Sequence, residues 1–196
     1  VVVPNAQSPI SSTVTTTGNV TLSYGDSTAT VDKASDADTF VGSLGTVTGL
    51  AAGAPTKAVL ADAATLNGTI DFDIDAGANK LTTGSAVTIN AGKTVKTTGE
   101  LEVATGHSLT NSGSLDVGTL TLTGTMDNQG TITAATAIAV NADGSTNSGN
   151  ITGAGAMTIA ANTTLATTDG EISIATLSFT DNTSILNRSG DATITS

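Results

Sequence analysis

The sequence predicts an all-β protein: a single-stack parallel β-helix solenoid over residues 67–196, preceded by an irregular β-rich N-terminal region over residues 1–66. Three observations carry this. A glycine-led phrase recurs along the chain, apolar and polar residues alternate within each phrase, and aromatic residues make up only 2% of the 196 residues. Aligned on their glycines the phrases read GELEVATGHSL from Gly99, GSLDVGTLTLT from Gly113, GTITAATAIAV from Gly130, GNITGAGAMTIA from Gly149 and GEISIATLSFT from Gly170, with a truncated GDATIT from Gly190.

Two and four residues after each glycine stand Leu101/Val103, Leu115/Val117, Ile132/Ala134, Ile151/Gly153 and Ile172/Ile174. A second alternating pair follows in most copies, as in Leu120/Leu122 and Leu177/Phe179, and a third apolar anchor, Leu109, Met126, Leu165 or Leu186, precedes the next glycine. Period two sends one set of side chains inward and the other to water, so each phrase reads as three short strands. A unit this short cannot bury its own inner face, and stacking on its neighbours does so. With no Trp, one Tyr and three Phe, the interior is left to Leu, Ile, Val and small residues. These fit a narrow core whose coils stack roughly 4.8 Å apart, with Thr on the pleated surface. The glycines at 68, 84, 99, 113, 130, 149, 170 and 190 spread further apart towards the C-terminus. Extra residues belong in turns, so the later coils are expected to be larger or to carry longer loops on one edge.

Upstream, Val1, Val2 and Val3 form a β-branched run stopped by Pro4. It either pairs within its own domain or completes a sheet in a neighbouring copy by strand addition. Alternating segments at 13–17, 19–24 and 28–31, punctuated by Gly18 and Gly25-Asp26, suggest a small β-meander. Asp32, Asp36 and Asp38 read as a polar loop, and strand character resumes over residues 40–47. Over residues 51–66, Pro55 fits a first helical turn and Val59, Ala63 and Leu66 recur at helical spacing, so a short capping helix is expected there. An Ala-rich connecting loop fits the same residues.

Three copies place an Asn two positions before the glycine: Asn111-Ser112-Gly113, Asn128-Gln129-Gly130 and Asn147-Ser148-Gly149. These Asn residues either form a stacked ladder that shares amide hydrogen bonds or serve the tight turns themselves. The phrasing, from about Gly68 to Ser196, resembles the repeats of filamentous-haemagglutinin-like adhesins and autotransporter passengers. The resemblance implies a secreted, right-handed parallel β-helix. It is a match to a stacking pattern and implies no particular activity.

Charge and composition narrow the function classes. A net charge of −11 with six Lys+Arg argues against binding nucleic acid, whose phosphates are held by basic residues, and against docking on anionic lipid. No apolar run approaches the ~20 residues that span a bilayer, so membrane insertion is not expected. Cysteine is absent, which leaves the redox compartment open. The chain starts at Val1 with neither initiator Met nor signal peptide, as a processed secreted protein or a fragment would. Together with the Thr/Ser/Asn/Gly-rich composition this points to an extracellular or cell-surface location.

No residue is assigned a catalytic, cofactor-binding or metal-binding role. Asp71, Asp73 and Asp75 alternate on one face, and oxygen clusters suit Ca²⁺. Alternate side chains on a flat strand, however, lie roughly 7 Å apart, which favours a solvated acidic edge. His107, beside Ser108 and upstream of Asp116, has the residue types of a triad in a chain where serine is too common to be a signal. Glu100, Glu102, Asp116 and Glu171 supply carboxylates for polysaccharide cleavage but lack the aromatic platforms and basic residues such a site would need. Six Asn-x-Ser/Thr sequons begin at Asn19, Asn67, Asn150, Asn162, Asn182 and Asn187.

The expected function is therefore a secreted structural subunit, not an enzyme, that assembles with copies of itself head-to-tail into a filament, pilus-like fibre or surface layer. Val1, Val2 and Val3 are the candidate assembly residues at one end, and Ala192 and Ile194 at the other. The alternative is an adhesin or a phage or bacterial fibre segment that binds a receptor, a glycan or a host surface through side loops.

Overall fold

A computed structural model describes residues 20–24, 27–31, 39–42, 46–48 and 57–196; Val1, Val2, Val3 and Pro4 lie outside the described residues, as do Asp32, Asp36 and Asp38. The described chain is all-β with no helix. It opens with a hairpin in which β1 (Val20–Tyr24) runs antiparallel to β2 (Ser27–Val31). β2 is also antiparallel to β3 (Thr39–Gly42), and every later pairing is parallel. There follow β4 (Thr46–Thr48), β5 (Lys57–Leu60), β6 (Ala64–Ile70), β7 (Asp73–Asp75), β8 (Leu81–Ile89), β9 (Thr94–Val103) and β10 (Ser108–Asn111). The remainder is β11 (Ser114–Leu122), β12 (Thr125–Asn128), β13 (Thr131–Val140), β14 (Ser145–Asn147), β15 (Asn150–Ile159), β16 (Thr164–Thr168), β17 (Glu171–Phe179), β18 (Ile185–Ser189) and β19 (Thr193–Thr195).

These strands wind into a β-solenoid of about seven turns. Each coil has three straight sides. In the later coils one long strand, such as β11 or β13, supplies the first two sides, and a short strand, such as β12 or β14, supplies the third. The long strand bends between its two sides, where the register shifts between Val117 and Thr119. Like side chains stack through the whole interior. On the first face the row runs Ala58, Ile74, Val95, Leu115, Ile132, Ile151, Ile172, Ile194. On the second face it runs Leu81, Leu101, Leu120, Ile138, Met157, Leu177. The alternation seen in the sequence is thus the alternation of inside and outside, and parallel pairing aligns each apolar residue with its counterpart one coil away.

Two sequence expectations change here. Over residues 51–66 the described part is two strands and a bend, not a helix. Period two prevails over helical spacing: Ala58, Leu60, Ala64 and Leu66 are buried, whereas Val59 is half-buried and Ala63 exposed. Parallel pairing therefore reaches back to β3, into the region expected to be irregular.

The phase of the first copies also shifts. Leu101 and Val103 pair with Leu120 and Leu122, and Leu115 pairs with Val95, so the phrase that begins at Gly99 starts one side later than the phrase that begins at Gly113. The cause is that glycine marks more than one corner. A Cβ on Gly130, Gly149 or Gly170 would strike the carbonyl of Gly113, Gly130 or Gly149 respectively, in the coil below. The same holds at the bend, where Gly118 sits over the carbonyls of Thr98 and Gly99, and at the remaining corner, where Gly124 sits over Ala104 and His107. Wherever a corner brings two coils this close, only glycine fits without displacing backbone.

Candidate functional site

The third face carries a polar row inside the core. Asn111 donates from Nδ2 to Oδ1 of Asn128 at 2.8 Å, Asn128 donates to Asn147 at 2.7 Å, and Asn147 donates to the Thr167 hydroxyl at 3.1 Å. All four side chains are buried. Asn128 and Asn147 also hold the turn beside them, as when Asn147 Nδ2 donates to the Gly149 carbonyl at 3.0 Å, while Asn111 Nδ2 donates to the Thr131 carbonyl of the following coil at 3.1 Å. Ladder and turn are therefore one device. The row has a direction, with Nδ2 aimed at the following coil, and its first acceptor, Asn111 Oδ1, has no partner. The residue paired with Asn111 in the preceding coil is Ile89, which offers no donor.

Asp71, Asp73, Asp75 and Asp116 are each engaged, whereas Glu171 is exposed at the start of its strand. Asp71 accepts from Asn90 Nδ2 at 3.0 Å, Asp73 from the Thr94 backbone N–H at 2.8 Å, and Asp75 from the Gly77 N–H at 3.1 Å while lying 3.6 Å from Lys57 Nζ. Among the described residues no group of three His, Cys, Asp or Glu side chains is placed to hold a metal ion. His107 Nδ1 is 2.7 Å from the Thr83 carbonyl, so Nδ1 carries a proton and donates it there. Asp116 pairs with Lys96 at 3.4 Å. The triad residue types are thus given to corner and surface contacts.

Lys80 bridges Glu102 at 2.7 Å and Glu100 at 3.0 Å. Its hydrogen bonds to Glu102 and then to Glu100 raise its pKa above the ordinary lysine value. The Thr121 hydroxyl, 2.6 Å from Glu100, and then Lys80 hold the Glu100 carboxyl below its ordinary value. This cluster is a solvent-facing clip across neighbouring coils.

Apolar surface is exposed in the last described coils. Val47, at the first coils, is 1% exposed, whereas Phe179 and Ile185 are 47% and 48% exposed. Leu177, Leu186 and Ile194, which continue buried rows, are only partly buried. Of the sequence-predicted assembly residues, Ala192 is buried at a corner and Ile194 lies in the last strand. Phe179 ends the row Leu122, Val140, Ile159. Ile185 instead faces outward and pairs with Thr164, so an apolar residue in a hydroxyl position was the signal that sequence reading missed.

The turns between second and third faces hold four residues at 104–107, two at 123–124, four at 141–144 and 160–163, and five at 180–184. The sequons at Asn150, Asn162, Asn182 and Asn187 are exposed in the C-terminal half; Asn67 is half-buried, and Asn19 lies outside the described residues. In the last turn Asp181 accepts from the Thr183 hydroxyl and N–H, which hold its carboxyl below the ordinary value.

Fold and surface together define a parallel β-solenoid with a polar interior ladder and exposed apolar side chains in its last described coils. Comparison of the chain with protein-family models, curated proteins and solved structures gives no match.

Proposed function

We propose that this chain is a structural subunit of an extracellular filament, pilus-like fibre or surface layer, built by head-to-tail addition of copies. The observation that carries the reading is the apolar surface of Phe179 and Ile185, exposed in the last described coils. Apolar side chains left in water beside a sheet edge invite pairing with another strand. An end-on contact that does not close on itself yields a filament. The acidic surplus keeps copies apart except where specific faces meet. A structural, non-catalytic role agrees with titratable groups that are tied into corners and coil-to-coil clips. The resemblance of the Asn-x-Gly phrases to filamentous-haemagglutinin-like and autotransporter-passenger repeats supports a secreted setting.

A second reading is favoured by the turns of four and five residues that share one edge between the second and third faces at 141–144, 160–163 and 180–184. Loops displayed on one edge of a rigid rod suit an adhesin or fibre segment that binds a receptor or glycan. Negative-stain electron microscopy and light scattering over a concentration series separate the two. The subunit reading expects rods that lengthen with concentration; single particles at every concentration, together with retention on a glycan array, are the outcome that replaces it with the adhesin reading.

A further inference from the structure

We infer that the buried Asn147–Thr167 rung is a register lock: it holds β16 in place along the third face against a two-residue slide that packing alone permits. The device belongs to the single chain and stands whether or not copies assemble.

Period two settles inside and outside but is blind to a slide of two. A one-residue slide turns every inward side chain to water, whereas a two-residue slide returns inward residues to inward places. Such a slide takes its length from the preceding turn. The turn at 123–124 has two residues and none to give. The turns at 104–107 and 141–144 have four. Sliding the strands that follow them would carry His107 into the place of Leu109 and Asp143 into the place of Ser145, both fully buried. An ionisable side chain pressed into such a row is costly enough to bar both slides.

The turn at 160–163 also has four residues, and those in phase with the inward row are Ala161 and Thr163, both neutral. A two-residue slide of β16 shortens this turn to the length found at 123–124. It moves Thr163, already buried, into the place of Leu165 opposite Ser145, and Leu165 into the place of Thr167 opposite Asn147. Thr164 takes the outward place of Ala166. On the other edge, Leu186 and Arg188 of β18 are half-buried and exposed, so they distinguish the two registers weakly. What opposes the slide is Asn147. In the observed register its Nδ2 reaches the Thr167 hydroxyl at 3.1 Å; after the slide it would face Leu165, which has no acceptor. Leaving a buried donor without its acceptor costs more than a made bond contributes, so the rung separates two registers that apolar packing does not. A single buried Asn sets the register of coiled helices in the same way.

The chain has no cysteine, so engineered thiols report the register. One reporter chain carries Thr146→Cys with Ala166→Cys, which pair across β14 and β16. The other carries Thr146→Cys with Thr164→Cys. With strands about 4.8 Å apart and alternate residues roughly 7 Å apart, the second pair is separated by roughly 8 Å in the observed register, beyond the ~7 Å limit for a disulfide. The slide exchanges the two cases. Both reporters are made in the native background and with Thr167→Val, which keeps the shape and removes the hydroxyl, and are oxidised in a glutathione buffer at a concentration that keeps the chain monomeric. The native background should link 146 to 166 and leave 146 and 164 free. Thr167→Val should raise the 146–164 link by about tenfold or more, the factor carried by one buried hydrogen bond, and Thr167→Ser, which keeps the hydroxyl, should match the native pattern. A Thr167→Val chain that is folded by circular dichroism and links only 146 to 166 overturns the lock. So does a native chain that links 146 to 164 readily, and so does a Thr167→Val chain that fails to fold, because the rung would then carry the fold and not the register.

Discussion

The middle coils and the last coil are written in the same phrase and meet different fates. Leu120 and Leu122 of β11 are fully buried, whereas Leu177 and Phe179 of β17, at the equivalent inward positions, are half-buried and exposed. The side chains are of one kind; the number of neighbouring coils differs. Stability in this protein is thus a sum over coil interfaces, and among the described residues the last coil has one where the middle coils have two.

Substitution at equivalent positions sharpens that comparison most strongly. Leu120→Ala should cost about 2–5 kcal/mol, the range for a large-to-small change in a closed core. Phe179→Ala should cost about 1 kcal/mol in the isolated subunit, since roughly half of its surface is already in water. Urea unfolding at a concentration that keeps the chain monomeric measures both. Equal losses would mean that the last coil is as well covered as the middle.

The Asn ladder gives an intermediate effect with its own internal control. Asn128→Leu leaves Asn147 Oδ1 without its donor in a buried site, and a cost of about 1–3 kcal/mol is expected. Asn111→Leu removes one orphaned acceptor and creates another at Asn128, so the loss should be the smaller of the two. Ile89→Thr places a hydroxyl opposite Asn111 Oδ1. It should be better tolerated than Ile132→Thr, which buries a hydroxyl between Leu115 and Ile151. The same unfolding assay ranks all four; an Ile89→Thr loss as large as that of Ile132→Thr would refute the directional ladder.

The smallest effect is electrostatic. Glu100 has a folded pKa below its ordinary value, so its contribution is present above the ordinary carboxylate range and is lost as pH falls through the lowered value. Lys80 has a raised folded pKa, so its contribution is present below the ordinary lysine value and is lost as pH rises through the raised one. Both are solvent-facing, and the clip should be worth under about 1 kcal/mol. Melting temperature should be flat through neutrality, and Lys80→Met should lower it slightly there without affecting the Asn ladder variants.

Much of this was legible in the chain, for reasons that particular residues make plain. Alternation at 119–123 and 131–133 fixes inside and outside without ambiguity, because Leu120, Leu122 and Ile132 each have a threonine on both sides. The phase of the early coils was not legible, since Gly99 and Gly113 answer the same steric demand at different corners. Residues 57–66 were misread because two short strands joined by a bend placed Val59, Ala63 and Leu66 at helical intervals. The Asn row was visible as a spacing, but whether it stacks or merely turns depends on contacts one coil away. The exposed Ile185 was hidden for a related reason: its outward direction follows from its pairing with Thr164, not from its own surroundings in sequence.

Each coil is protected by its neighbours, and on the proposed self-assembly the last described coil gains that protection from another copy. Hydrogen–deuterium exchange read peptide by peptide across a dilution series tests this most directly. Slow exchange is expected over residues 94–168 at every concentration, with residues 171–195 exchanging fast when dilute and slowing as concentration rises. Fast exchange in the middle coils, or protection at 171–195 that is already complete in dilute solution and indifferent to concentration, would contradict it.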